Sequence, residues 1–242
     1  RGLGDVYKRQ FICHMGIATP CSGQNVAFTS KMRRCKRKNK RSLFFLAWQK
    51  RTMAIKRFII MADGKMKRWN NQQVPKHLLP VHGEPILLRT ARLAQRYAPE
   101  AQVIITSHNP DYEAPGAVRY EPKSNSCEID RFTWELIDDD VCFLYGDVYY
   151  TEQAIRRIVE MPVKALGFAR NDTEVFAVKV ADGAYQKACI RKLKEKDPAC
   201  RGWQLYEMAQ RDGCAEICRI EDETTGFNTE EEYRRFAEKA NC

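Results

Sequence analysis

From Met53 onward, short apolar runs alternate with stretches of helical periodicity, and that alternation leaves few folds open. Lys56–Ala62, Gln102–Thr106, Ala117–Tyr120, Val141–Tyr145, Ala165–Ala169 and Val175–Val180 read as strands, with a short one near Ala215–Ile220. Between them, Pro85–Ala98, Cys127–Ile137, Thr151–Glu160, about 183–195 and 202–211 read as helices. Pro85 suits a first turn, and Thr151 suits an N-cap. A last helix begins after Asn228-Thr229, with three glutamates in its first turn, where carboxylates favour the helix dipole. The pattern predicts an α/β fold: one three-layer, Rossmann-like domain with a mostly parallel mixed sheet. Ligands of such sheets bind beyond the carboxyl ends of the strands.

The formal charge of +10 is not spread over this domain. Residues 1–52 hold 13 Lys/Arg and one acid, whereas 53–242 hold 28 Lys/Arg against 30 Asp/Glu. The leader includes the block Lys31–Arg41 and has no sustained periodicity, so a disordered basic tail is expected for 1–52. Its opening, Gly2–Gln10, resembles linker-derived sequence, and Met53 reads as a natural start of the functional domain, 53–242. With a net charge of −2, that domain carries no surplus for binding nucleic acid. Ser42–Trp48 is at the bottom of the length range for a secretory signal, ends in Trp-Gln-Lys-Arg and lacks a small-residue cleavage site, which argues against secretion. No apolar run has membrane-spanning length. The ten cysteines contain no Cys-x-x-Cys pair, which fits free thiols in a reducing cytoplasm.

Chemistry concentrates at two strand ends. After Phe58–Ala62 come Asp63, Gly64, Lys65, Met66, Lys67 and Arg68, then Pro75-Lys76. A glycine turn can bring backbone N–H groups to an anion, and the crowded cations suit a triphosphate; a solvated basic loop would look the same. After Val141–Tyr145 comes Gly146-Asp147, a metal ligand or merely a turn cap. Asp138-Asp139-Asp140 lies at the start of that strand, away from the cleft, and reads as a solvated turn. His77, His82 and His108 show no ligand spacing.

Ala62-Asp-Gly-Lys-Met-Lys-Arg68, followed by Pro75-Lys-His-Leu-Leu-Pro-Val-His-Gly-Glu-Pro85, resembles the opening of the nucleotidyltransferases of the GT-A-like fold. These include the sugar-phosphate nucleotidyltransferases and the MobA-like group. Leu144–Val148 is similar to their metal-carrying strand end, and Gly226-Phe-Asn-Thr-Glu-Glu231 to a late Asn/Asp-Thr element. Two positions depart: Met66 replaces a second glycine, and Asp63 stands where a small residue is usual.

The resemblance implies Mg2+-dependent transfer of an NMP unit from an NTP to a phosphorylated sugar, polyol or similar small molecule, with release of pyrophosphate. Arg68 and Lys76 would be catalytic, and Ala62, Asp63, Gly64 and Lys65 would line the nucleotide. Asp147 would hold Mg2+, with Asn228 as a neutral second position that equally suits a helix N-cap. Asn125 and Ser126 would face base or sugar, or cap the helix after them. Trp203, Tyr206 and Met208 fit an acceptor wall, the contact of a homo-oligomer, or plain core. Two alternatives stand beside this reading: a GT-A glycosyltransferase, disfavoured because Gly146-Asp147-Val148 is not Asp-x-Asp, and a non-catalytic nucleotide-binding domain.

Overall fold

The computed structural model describes residues 54–64, 69 and 74–240, so expectations for 1–52, Lys65, Met66, Lys67 and Arg68 fall outside the described residues. Strand β1 (Arg57–Met61) shows why the apolar runs are continuous rather than alternating. Phe58 and Ile60 enter one core cluster, Ile59 and Met61 another, so both faces of the strand are covered.

The same two-sided burial holds along β4 (Gln102–Thr106) and β6 (Val141–Tyr145), which flank β1 in parallel. With β5 (Ala117–Tyr120), β8 (Leu166–Arg170), β9 (Val175–Val180) and β10 (Ala215–Arg219), they form a seven-stranded sheet ordered β10-β8-β9-β6-β1-β4-β5. Only β9 runs antiparallel to its neighbours β6 and β8. Short ladders β2 (Pro80–Val81) with β3 (Glu84–Pro85), and β7 (Val148–Tyr149) with β11 (Thr225–Gly226), lie outside it.

Helices α1 (Ile86–Tyr97) and α2 (Glu152–Glu160) cover one face through Leu87, Leu93, Ile155 and Ile158. Helices α3 (Gly183–Lys196) and α4 (Gly202–Arg211) cover the other through Ile190, Leu193, Leu205 and Tyr206. Each large apolar side chain sealed in this way contributes about 1.5–3 kcal/mol. The three-layer α/β expectation is met. Tyr206 and Met208 pack with this core, and Trp203 stays 44% exposed. Helix α5 (Glu230–Ala240) joins a third cluster with Trp69, Leu79, Tyr149 and Phe227.

Two expectations need correction. The segment 127–137 is not an α-helix but two 3-10 turns, Glu128–Phe132 and Trp134–Leu136. They are separated by Thr133 at φ +42°, a left-handed residue that an α-helix cannot contain. Asp130 accepts hydrogen bonds from the N–H groups of Ser126 and Cys127 and from the Ser124 and Ser126 hydroxyls, so a local side-chain network replaces the helical ladder. Pro85 closes the β2–β3 ladder and caps α1 instead of sitting in its first turn.

Candidate active site

Strand register brings the candidate loops together. Met61 lies opposite Thr106 on one side and Tyr145 on the other, so Ala62, Ser107 and Gly146 leave the sheet at the same level, with Asp63 next. Gly146 N–H donates to Met61 O at 3.0 Å. A Cβ at Gly146 would stand 2.9 Å from that oxygen and 3.2 Å from His77 Cδ2, so the two strand ends approach this closely only around glycine.

Asp147 follows, and the 3-10 turn Lys76–Leu78 brings Lys76 to it from across the cleft. The Lys76 ammonium donates to Asp147 Oδ2, with both side chains largely buried. Burial raises the Asp147 pKa, but the charges of Lys76 and Arg131 outweigh it and hold the carboxyl below its ordinary value. His77 is buried in the same wall, with Nδ1 3.0 Å from Tyr112 Oη. Burial pulls its pKa down to about 4, so the ring is neutral near pH 7, and burial pushes the Tyr112 phenol up to about 12.

Asp63 does not present a free carboxylate to the cleft. Its Oδ1 accepts from His108 N–H at 3.0 Å; its Oδ2 lies 2.7 Å from both His108 Nδ1 and Asn125 Nδ2. Asn125 Nδ2 also donates to Asp63 O at 2.8 Å, which ties the 122–126 loop to the turn after β1. Ala62 is buried, with its backbone engaged by Thr106 and Ser107. Ser126 is spent on Asp130. Arg68 and Lys65 lie outside the described residues. At the far end of the sheet, Asp138 pairs with Arg57 at 2.9 Å and Asp140 with Lys56 at 2.8 Å.

Asn228 reaches the site through the β7–β11 ladder, where Phe227 N–H donates to Asp147 O at 3.3 Å. It is not the cap of α5. Thr229 Oγ1 accepts from Glu232 N–H at 3.2 Å, while the Glu232 carboxylate takes the N–H groups of Asn228 and Thr229, a capping box. Asn228 Nδ2 donates instead to Glu174 Oε1 at 3.2 Å.

Glu174 also accepts from Gly226 N–H at 3.3 Å. Its pKa is raised, first by burial and further by the negative charge of Asp147. That repulsion is what a bound cation would relieve. Asp147, Glu174 and Asn228 offer hard oxygen donors without an all-protein cage; no cluster of three or more His, Cys, Asp or Glu suited to a metal occurs among the described residues. Such a partial set fits Mg2+, which keeps waters and phosphate oxygens as ligands.

Sequence reasoning missed Glu174 and Arg131. Glu174 looks like an ordinary turn residue before β9, and only the antiparallel direction of that strand brings it to the Asp147 end of the sheet. Arg131 was hidden by the expected helix, whose periodicity turned Ile129 and Phe132 inward and left Arg131 to solvent. The 3-10 geometry redirects it toward Gly64, where an added Cβ would meet Nη2 at 3.3 Å. A cavity of about 410 Å3 opens beside Glu174, lined also by Asn171, Thr173, Asn228, Phe236 and Lys239.

No family model matches the sequence, and no curated protein matches it. Solved structures do share its architecture. The CTP:phosphocholine cytidylyltransferase of Streptococcus pneumoniae is similar over 77% of this chain and 99% of its own, at 11% identity and a TM-score of 0.52. The UDP-glucose pyrophosphorylase of Acinetobacter baumannii matches over 76% and 92%, at 12% identity and a TM-score of 0.57. The 4-diphosphocytidyl-2C-methyl-D-erythritol synthase of Anaerococcus prevotii matches over 77% and 98%, at 16% identity and a TM-score of 0.55. The chain shares the fold of these structures. At such identities the likeness speaks for the architecture, and the chemistry has to be argued from the residues.

Proposed function

We propose that this chain is a nucleotidyltransferase that joins the NMP unit of an NTP to the phosphate of a sugar, polyol or similar small molecule. The Lys76–Asp147 pair carries the reading: an ammonium and a carboxylate from loops after β1 and β6 meet inside the cleft where ligands of such sheets bind. In the reaction a phosphate oxygen of the acceptor attacks the α-phosphorus, the bond to the β-phosphate oxygen breaks, and pyrophosphate leaves. The nucleophile is already anionic, so no strong base is required. His77, held neutral and buried, fits a wall of the site better than a proton carrier.

The barrier is repulsion between anions plus alignment, and positioned cations lower both. In this reading Lys76 leaves Asp147 for phosphate oxygens, Gly64 gives the polyphosphate close backbone approach, and Arg68 joins from the adjoining loop. Asp147, Glu174 and Asn228 would hold Mg2+, which when bound would withdraw charge from the phosphates. Asn125, whose amide orientation is fixed by Asp63, would face the base in this reading. The cavity beside Glu174, rich in hydrogen-bonding side chains, would take the hydroxylated body of the acceptor.

Residues 53–242 form the working domain in this reading, and the folded part needs no nucleic acid. Among the described residues no helix is long and apolar enough to cross a membrane, and the described cysteines are free thiols, which suits a reducing cytoplasm. The test is pyrophosphate release from a panel of NTPs with Mg2+ and sugar or polyol phosphates. Asp147→Ala should lose turnover by about 100-fold or more with the fold intact. Unchanged turnover in that variant would remove the carboxylate from the reaction.

A further inference from the structure

Arg131 brings a second cation to the cleft beside Lys76. Its guanidinium lies against the backbone of Gly64, so closely that an added Cβ would stand 3.3 Å from Nη2, 3.4 Å from Cζ and 3.7 Å from Nη1. The absence of a side chain at Gly64 is what makes room for it. From there its charge acts on Asp147, His77 and Tyr145.

Among the described residues, no acceptor takes a hydrogen bond or ion pair from that guanidinium, whereas the Lys76 charge is matched by Asp147. A half-buried cation without an acceptor carries a desolvation cost that a bound anion would offset.

The segment holding Arg131 is firmly placed. Its neighbour Asp130 accepts from Lys194 Nζ at 2.6 Å, Ser124 Oγ at 2.9 Å, Ser126 Oγ at 2.5 Å and Ser126 N–H at 3.0 Å. Thr133 then ends the turn in the left-handed region. The stub presenting Arg131 is therefore held by its own neighbours and by Lys194. A planar guanidinium with several N–H donors matches phosphate oxygens two at a time.

We propose that Arg131 binds the polyphosphate of the nucleotide beside Gly64. This rests on the nucleotidyltransferase reading and adds to it a phosphate-binding residue. Arg131 and Lys76 would then grip the same anion from two loops, and the guanidinium would trade the field of Asp147 for direct contact with phosphate oxygens.

Calorimetric titration of the full chain with inorganic tripolyphosphate tests it, because that probe has no base and no acceptor body. Arg131→Ala should weaken binding by about tenfold to a hundredfold, the range for hydrogen bonds to charged groups. Arg131→Lys should recover only part, since an ammonium cannot fork. Arg131→Gln keeps a hydrogen-bonding end but removes the charge, so it should lose affinity in the same direction and reports even if Arg131→Ala fails to fold.

Affinity within twofold of the parent in both Arg131→Ala and Arg131→Gln overturns the proposal. So does a loss seen only with glycerol 3-phosphate, which would put Arg131 on the acceptor. If Lys76→Ala loses tripolyphosphate and Arg131→Ala does not, this inference fails alone. A parent chain that binds no tripolyphosphate overturns both this and the nucleotidyltransferase reading.

Discussion

His77 shows how a single residue ties this cleft to pH. It is 2% exposed and packed against Tyr112, and its ring centre lies 5.0 Å from that of the tyrosine. Its imidazolium form is disfavoured by burial, and the nearby charges of Lys76 and Arg131 act in the same sense, while Asp147 and Asp63 oppose them. With the folded value near 4 against an unfolded value of 6.5, the unfolded chain binds the extra proton between those two values. Stability contributed by neutral His77 is therefore full above the unfolded pKa and declines as pH falls through that window, by up to ~3 kcal/mol. His77→Asn should flatten the fall in melting temperature between pH 6.5 and pH 4 relative to the parent. Parallel curves for the two proteins would show that His77 is not the group responsible. Asp147 does not confuse this window, because a depressed carboxylate loses its contribution only at still lower pH. Nothing in the sequence marks His77 for burial; it follows Lys76 in a basic loop, and only closure of the 3-10 turn onto Gly146 seals it.

Elements differ in how openly the sequence declares them. Strands β1, β4 and β6 were legible because two-sided burial demands unbroken apolar runs, and α2 because Thr151 Oγ1 takes the Ala154 N–H at 3.0 Å, as its residue type suggests. The 3-10 segment was not legible, since Asp130 draws its hydrogen bonds from Lys194 far along the chain as well as from neighbouring serines. The other end of α2 was equally hidden. Lys179, next to the last residue of β9 and 2% exposed, donates to Val159 O at 2.7 Å and Met161 O at 2.9 Å. Burial lowers its pKa, yet its charge meets the carbonyl-rich end of the helix, where cations are favoured. From sequence, a lysine in Val-Phe-Ala-Val-Lys-Val looks like a solvent-facing strand residue. Lys179→Met keeps the volume but strands both carbonyls, so a loss of about 1–3 kcal/mol is expected in denaturant unfolding. An unchanged midpoint would mean that water satisfies those carbonyls as well as the ammonium does.

At the scale of the whole molecule, the sheet direction does most of the assembling. Because β1, β4, β5 and β6 run parallel, their following loops emerge side by side, and antiparallel β9 returns the residue before it, Glu174, to the same end. The sequence announced Lys76 and Asp147 through their strand ends, but not the two partners supplied by chain reversal and by the 3-10 turn. A ligand that engages several of these loops at once must stabilise the fold as a unit, since it binds the assembled cleft and not the open chain. An NTP with Mg2+ at about 100 times its dissociation constant would add about 2.7 kcal/mol. For a domain of this size that corresponds to a rise in melting temperature on the order of 5–10 °C. Lys76→Ala should lose most of the rise, whereas a chain lacking residues 1–52 should keep it, because the leader holds the basic surplus but none of the cleft residues described. A shift that vanished with the leader and survived in Lys76→Ala would move the nucleotide out of the cleft and onto the basic tail.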